Sequence, residues 1–231
     1  MNLGKNFHEL WQTVCPEKSF VQNYIDLAAR YGESHRHYHT LSHIAHALKE
    51  FDEVKHLSEH PFEVALAIYY HDAVYETKIT KQHQIINADK KRDTNEEQSA
   101  FLAKSAVVNA GLGNDAAERV YNLILATAHK SVSKNSENIS QTIDEKILVD
   151  VDLSILGRPE KEFKKYEENI RKEYSFVPEE IYKSVRVNVL NRFLNREKIY
   201  STDYFHDKYE KSARKNLENS IQLLRGIYNE K

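Results

Sequence analysis

The sequence contains little of several residue types, and each shortage excludes a class of structure. Its 231 residues include one cysteine, Cys15, which excludes an internal disulfide and a cysteine-based zinc site. Six glycines and four prolines are few for this length, and long stretches show helical periodicity, so we predict a mostly α-helical protein. No apolar run is long enough to span a membrane, and the N-terminus shows no signal-peptide pattern.

The charges of the chain are almost balanced. Lysine and arginine total 33, and aspartate and glutamate total 35, for a net charge of −2. A balance this close to neutral gives no electrostatic reason to expect binding to a nucleic-acid polymer. Since the sequence also lacks a membrane segment, we predict a soluble cytoplasmic protein that acts away from membranes.

The organisation of the chain predicts one all-α domain. A chain of 231 residues can bury one substantial core, and no internal repeat or change of composition divides it. We predict a single helical bundle over residues 1–231, with the helices of 159–231 packed on a motif-bearing core of about 20–160. Those C-terminal helices are amphipathic, so they pack either inside the chain or against a second copy in a homodimer.

The most informative stretch covers residues 62–75. It is apolar nearly all round, which predicts a buried helix, and His71 and Asp72 stand side by side near its end. Two ionisable side chains at such a place are costly unless they are paired or hold a metal ion. Neighbours on a helix point about 100° apart, but both side chains can still reach one ion beside the helix. A polar pair that simply ends the helix is the alternative.

A second unusual segment, residues 33–46, holds five of the twelve histidines. The apolar spacing predicts a helix that begins near Thr40. His43 flanks the apolar face of this helix, and His39 lies one turn earlier on the same side. The remaining three are expected to face water, as isolated polar histidines usually do: His35, His37 and His46.

Two acidic features follow later in the chain. Thr94 and Glu97 fit a capping box, so Glu96 is the acid at this helix start that stays available for chemistry. Asp150 and Asp152 lie inside an otherwise apolar run. Burial of an unpaired carboxylate costs several kcal/mol, so a metal ion or a cationic partner is expected for at least one of them.

Two polar segments follow apolar helices. Residues 77–93 form a predicted loop at the end of the buried helix, a place where loops often line a site. Its lysines and arginine either attract an anionic substrate or simply keep the loop solvated. Residues 131–140 are predicted to form a surface loop. His129 precedes this loop and either caps helix carbonyls or serves as a ligand.

The costly polar positions together offer two imidazoles and two carboxylates. Such a set suits a borderline divalent ion such as manganese, iron, cobalt, nickel or zinc, and magnesium less well. Separate polar pairs in the core are the alternative that spacing alone leaves open. The set consists of His43, His71, Asp72 and Asp152, with Asp150 as a near neighbour.

The order of these residues resembles that of the HD superfamily of metal-dependent phosphohydrolases, which have an all-α fold. The neighbouring residues resemble one branch of predicted HD phosphohydrolases whose substrates are largely undefined, and the likeness runs from about Phe7 to the C-terminal helix. It rests on four segments: RHYHTLSHI (36–44), YHDAVY (70–75), NEEQSA (95–100) and DVDLSILG (150–157).

The resemblance implies which residues hold the metal. Asp152 is preferred to Asp150 because it matches the position of the last aspartate of the family. His39 is the substitute for His43, and His129 stands where members with two metals often have a further histidine. The implied ligands are His43, His71, Asp72 and Asp152.

The implied activity is hydrolysis of a small phosphorylated metabolite, with nucleotides among the candidates, by a metal-activated water. Asp72 would ligate the metal and orient the water. Glu96 would serve as general base or acid. Arg36 would hold a phosphate through its planar guanidinium, unless it is an exposed surface residue.

Two other functions stay open from the sequence. HD-type helical sites can also hold two irons and perform oxygenation, as in relatives resembling inositol oxygenase, and His129 would then have to supply a further ligand. Alternatively, the metal site is structural or senses a ligand without turnover. The complete ligand set, Glu96 and the polar loop favour catalysis over such a binding module. The oxygenase needs more histidine ligands than the sequence offers, so we favour the phosphohydrolase.

Overall fold

A computed structural model describes residues 1–78, 94–128 and 141–226, and every regular element in these ranges is helical. The predicted all-α class is therefore confirmed, while the HD-type arrangement stays a prediction. Predictions for residues 79–93, for His129 and for residues 131–140 lie outside the described residues. None of the described helices is both long and apolar enough to cross a membrane.

Ten α-helices occupy the described ranges, with two short 3-10 helices at Lys55–Leu57 and Ser154–Gly157. The α-helices are α1 (Leu3–Gln12), α2 (Val21–Tyr31), α3 (Leu41–Val54), α4 (Pro61–Tyr70), α5 (Asn95–Ala110), α6 (Asn114–Ala126), α7 (Ile143–Leu153), α8 (Glu160–Glu173), α9 (Glu179–Leu194) and α10 (Asp203–Leu224).

Helix α4 lies at the centre of the fold. Every residue from 63 to 70 is buried, because α1, α3, α5, α6 and α7 all contact this helix. The predicted helix over 62–75 ends early, at Tyr70, so His71 and Asp72 lie in the turn that follows. In this turn the carbonyls of Asp72 and Ala73 accept hydrogen bonds from the Arg36 guanidinium, which takes the place of a further helical turn.

One hydrophobic cluster joins the N-terminal and C-terminal helices. Trp11 stacks on Phe20 with 3.9 Å between the ring centroids, and Leu190, Phe205 and Leu217 of the C-terminal half belong to the same buried cluster. The C-terminal helices therefore pack on the rest of the described chain. The assignment of a single domain stays a prediction.

The 3-10 helix that follows α7 makes an unusually close contact with α10. A methyl group at Gly157 would collide with the Tyr209 side chain, so only glycine permits this approach. The contact holds the end of α7, and with it Asp152, against the C-terminal helices. The conformation of α7 near Asp152 is therefore set partly by residues far along the chain.

Candidate metal centre

Four of the predicted ligands converge on one point. Their ligand atoms all lie within 4.8 Å of one another, and the Nε2 atoms of His43 and His71 are 3.1 Å apart. Asp72 Oδ2 lies 3.0 Å from His71 Nε2, and Asp152 Oδ1 lies 3.3 Å from His43 Nε2. The structure thus brings together the two imidazoles and two carboxylates that the sequence singled out.

The spacing of these atoms fits a shared divalent ion. With ion-to-ligand distances of about 2.1 Å, ligand atoms are about 3.0 Å apart at a right angle and about 3.4 Å apart in a tetrahedron. The measured separations that involve the two histidine nitrogens run from 3.0 to 3.5 Å. The four residues could therefore hold a metal ion.

The backbone of α4 fixes the orientation of the His71 ring. His71 Nδ1 lies 2.9 Å from the Ile68 carbonyl oxygen, which can only accept a hydrogen bond, so Nδ1 carries the proton. In a neutral ring, Nε2 is then unprotonated and faces the cluster. His43 is carried by α3, whose first turn is capped by the Thr40 hydroxyl. Both imidazoles are buried, with side chains 1 and 2% exposed.

Asp150 and Asp152 have separate roles. Residues two apart on a helix point to nearly opposite sides, and only Asp152 reaches the cluster. The fully buried Asp150 carboxylate accepts hydrogen bonds from the backbone of Ser201 and Thr202 and from the Thr202 hydroxyl, at 2.7 to 2.8 Å. Asp150 therefore anchors the start of α10. These hydrogen bonds stabilise its buried carboxylate without a metal ion.

The electrostatics of the cluster favour a bound cation. Burial alone would lower the pKa of both histidines, but Asp72 and Asp152 raise the pKa of His43 and raise that of His71 well above its usual range. Burial opposes ionisation of Asp72, yet the charges of His71 and His39 bring its pKa well below the usual value. Two carboxylates in such a place attract positive charge, which either protons or a metal ion can supply.

Arg36 is buried, so the alternative that it is an exposed surface residue is wrong. The residue is 5% exposed, and its guanidinium donates to the carbonyls of Asp72, at 2.6 Å, and Ala73, at 3.0 Å. It also binds the Glu33 carboxylate. These contacts fix the turn that carries Asp72, so we interpret Arg36 as a positioning residue rather than as a phosphate ligand.

His39 is held by a carboxylate that the sequence analysis missed. His39 Nδ1 lies 2.8 Å from Glu173 Oε2, and the imidazole stacks on the Tyr75 ring at 4.0 Å between centroids. Because Nδ1 faces Glu173, Nε2 is the ring nitrogen that this carboxylate leaves unoccupied. His39 is not among the four clustered ligands.

Glu173 organises the segment before α3. Its other oxygen, Oε1, accepts hydrogen bonds from the backbone N–H groups of His37, Tyr38 and His39, at 2.7 to 3.0 Å. No local signal in the sequence marks this residue, since it ends a charged helix and acts on a segment 134 residues away.

Three histidines of the segment 33–46 were predicted to face water. Two of them, His35 and His37, are exposed as predicted.

The prediction that His46 faces water is wrong. The residue is half-buried, and its Nε2 lies 2.9 Å from Ser154 Oγ. Burial lowers the pKa of His46 to about 4, so the ring is neutral at physiological pH. The apolar spacing of α3 placed His46 on the outer side of the helix, but the 3-10 helix after α7 covers that side.

A cavity of about 370 Å³ opens on the two carboxylates of the cluster. Thr94 and Glu97 form the predicted capping box, which fixes the first turn of α5 and leaves Glu96 in the cavity wall. Tyrosine and aliphatic side chains line much of the remainder. The polar residues of the wall include His39, Asp72, Glu96, Asp152, Arg192 and Arg196.

Replacing Glu173 with glutamine should lower the free energy of unfolding at pH 7 by roughly 3 kcal/mol. Burial alone would raise the Glu173 pKa, but hydrogen bonds from His39 and His37 lower it from 4.5 to about 2. A lowered carboxyl pKa stabilises the fold above pH 4.5, and this stabilisation disappears as the pH falls through 2. Urea unfolding of wild type and variant at several pH values measures the effect.

The matched control is Glu168→Gln, which removes an exposed carboxylate from the same helix, α8. The control should unfold like the wild type at every pH. Equal stability of Glu173→Gln and wild type at pH 7 would contradict the role assigned to Glu173. In the expected case, the two unfolding curves approach each other between about pH 5 and pH 2.

Comparison with models of protein families, with curated proteins and with solved structures finds no match for this chain.

Proposed function

We propose that the protein is a metal-dependent phosphohydrolase of the HD superfamily, acting on a small phosphorylated metabolite such as a nucleotide. The observation that supports this most strongly is the convergence of four ligand atoms, those of His43, His71, Asp72 and Asp152. The two aspartates of this group also line one cavity. The order of the sequence motifs supports the same proposal.

The ligand set fits a divalent metal ion, because two imidazoles and two carboxylates meet at ligand spacing. The Nδ1 atom of His71 binds the Ile68 carbonyl, so Nε2 faces the cluster, where a metal ion would take the place of a proton. Manganese, iron, cobalt, nickel and zinc suit these donors better than magnesium. When bound, such an ion supplies Lewis acidity to a phosphoryl oxygen and to a water molecule. Orientation of the water and the proton transfers are assigned to side chains of the protein.

The carboxylates of the cavity prepare the attacking water. Asp72 has about a fifth of its side chain exposed, so its carboxylate can orient a water molecule as well as contribute to the cluster. Glu96 lies in the same wall and accepts the proton that the water loses. The water oxygen forms a bond to phosphorus while the bond from phosphorus to the leaving oxygen breaks.

His39 supplies the proton that the leaving group needs. The electron pair of the broken bond stays on the leaving oxygen, and the N–H of His39 Nε2 neutralises it. Glu173 holds the other side of the ring, which keeps Nε2 directed to the cavity that His39 lines. A histidine held by a buried carboxylate is well suited to general acid–base catalysis.

The test is hydrolysis of a panel of phosphomonoesters and phosphodiesters, nucleotides included, followed as release of inorganic phosphate from the monoesters and as formation of a monoester from the diesters. The purified protein is stripped of metal with a chelator and reloaded separately with manganese, iron, cobalt, nickel, zinc or magnesium. We expect hydrolysis with at least one transition metal and a lower rate with magnesium. Absence of turnover across the panel in a protein that binds metal would contradict the proposal and favour a binding module.

A further inference from the structure

Two arginines of the cavity wall have no place in the metal centre. Arg192 lies in the last turn of α9, and Arg196 follows two residues after the end of this helix. Both line the cavity that also contains Asp72 and Asp152. Two guanidinium groups thus share a cavity with the proposed metal ligands.

The surroundings of these two side chains differ from those of Arg186, which lines the same cavity. The Arg186 guanidinium binds the Glu167 carboxylate and the Tyr166 hydroxyl. Over residues 1–78, 94–128 and 141–226, by contrast, neither Arg192 nor Arg196 makes a side-chain hydrogen bond or an ion pair with a carboxylate. The Arg196 guanidinium lies instead over the Phe193 ring, 4.8 Å from its centroid.

Arg196 is half-buried and Arg192 is exposed at the rim of the cavity. Two neighbouring positive charges repel each other, and a bound anion relieves that repulsion. Burial and the charge of Arg192 both lower the pKa of Arg196. A protein tolerates such repulsion most readily where a ligand relieves it, because functional sites often keep charges that are unfavourable for stability.

A role at the end of the helix does not account for the pair. Cations near the end of a helix can bind its last carbonyls, but Arg214 already fills that role at the end of α9. Its guanidinium donates to the carbonyls of Leu194, Arg196 and Glu197, each at 2.9 Å. The side chains of Arg192 and Arg196 are therefore available for another partner.

We propose that Arg192 and Arg196 form an anion-binding subsite that holds a phosphate group of the substrate. This inference deepens the proposed function and rests on it for the identity of the substrate. Asp72 and Asp152 balance the charge of a divalent ion, so the metal centre keeps no net charge for a phosphate dianion. The two guanidinium groups supply that charge, and their planar donors match phosphate oxygens.

The experiment measures binding of inorganic phosphate by titration calorimetry, using the full chain as purified and after removal of metal. The Arg192→Gln, Arg196→Gln double variant should bind phosphate at least about tenfold more weakly, because two charge-assisted contacts are lost. Lysine at both positions should restore part of the affinity, since it keeps the charge but loses the planar donors. The control, Arg30→Gln with Arg225→Gln, removes the same charge outside the cavity.

Unfolding temperature separates this role from a structural one. An anion-binding role predicts that Arg192 and Arg196 add no stability when no anion is bound, because their charges repel each other. The double glutamine variant should then unfold at the wild-type temperature or higher. Wild-type phosphate affinity in that variant, or no phosphate binding by the wild type, would overturn the inference even if esters are hydrolysed. Phosphate binding that depends on the pair, without hydrolysis of any ester, would overturn the proposed activity and leave the subsite intact.

Discussion

The His71→Ala, Asp72→Ala double variant is expected to lose its bound metal and at least about a thousandfold of phosphohydrolase activity. These residues supply two of the four clustered ligand atoms, and Asp72 also orients the proposed water. Two ligands would remain, His43 and Asp152, too few to hold a transition metal tightly. Metal content and initial rates of phosphate release, measured on the same preparations, check both parts of the prediction.

Thermal unfolding gives a second measure of the same variant that does not depend on turnover. A ligand that binds only the folded state raises the unfolding temperature, so added manganese should stabilise the wild type and leave the double variant unchanged. The matched control is His37→Ala, an exposed histidine of the same histidine-rich segment. An active, metal-containing double variant would show that these residues are a polar pair with no part in catalysis.

The second large effect is expected at His39. Replacing His39 with glutamine should lower the rate by roughly a hundredfold to ten thousandfold while the metal content stays at the wild-type level. The loss should shrink for esters with an acidic leaving group, such as a nitrophenol, because that group departs without a proton. Rates across a series of leaving groups therefore identify the step in which His39 acts.

Two results would contradict the general-acid role of His39. An equal loss for every leaving group would mean that the residue only shapes the site. Loss of metal from the variant would mean that His39 is a ligand, as the sequence allowed. Glu173→Gln should show the same dependence on the leaving group with a smaller loss, because Glu173 acts only through the orientation of the His39 ring.

The parts of the site that the sequence predicted are those with a local signature. His71 and Asp72 stand out because they follow an apolar helix, and Asp152 stands out because it interrupts an apolar run. Helical periodicity predicted a helix that begins near Thr40, and α3 begins at Leu41. Each of these signals lies within about two turns of one helix, a distance over which side-chain spacing determines what is buried.

The contacts that escaped prediction join distant parts of the chain. Glu173 binds the segment before α3 from the end of α8, and Arg36 binds the carbonyls that follow α4. From its place in the apolar run alone, Asp150 is as good a candidate ligand as Asp152. In the structure, its carboxylate accepts a hydrogen bond from the backbone of Thr202, 52 residues later. Such roles depend on how the helices pack, which cannot be deduced from the composition of the sequence or from the spacing of its residues.

The measurement that tests the central claim most directly is the metal content of the purified protein by elemental analysis, before and after reloading. The account predicts about one divalent transition-metal ion per chain, held by four ligands: His43, His71, Asp72 and Asp152. Two irons per chain would contradict the single-ion centre and favour the di-iron oxygenase. No bound metal, even after reloading with manganese, cobalt or nickel, would contradict the metal centre itself.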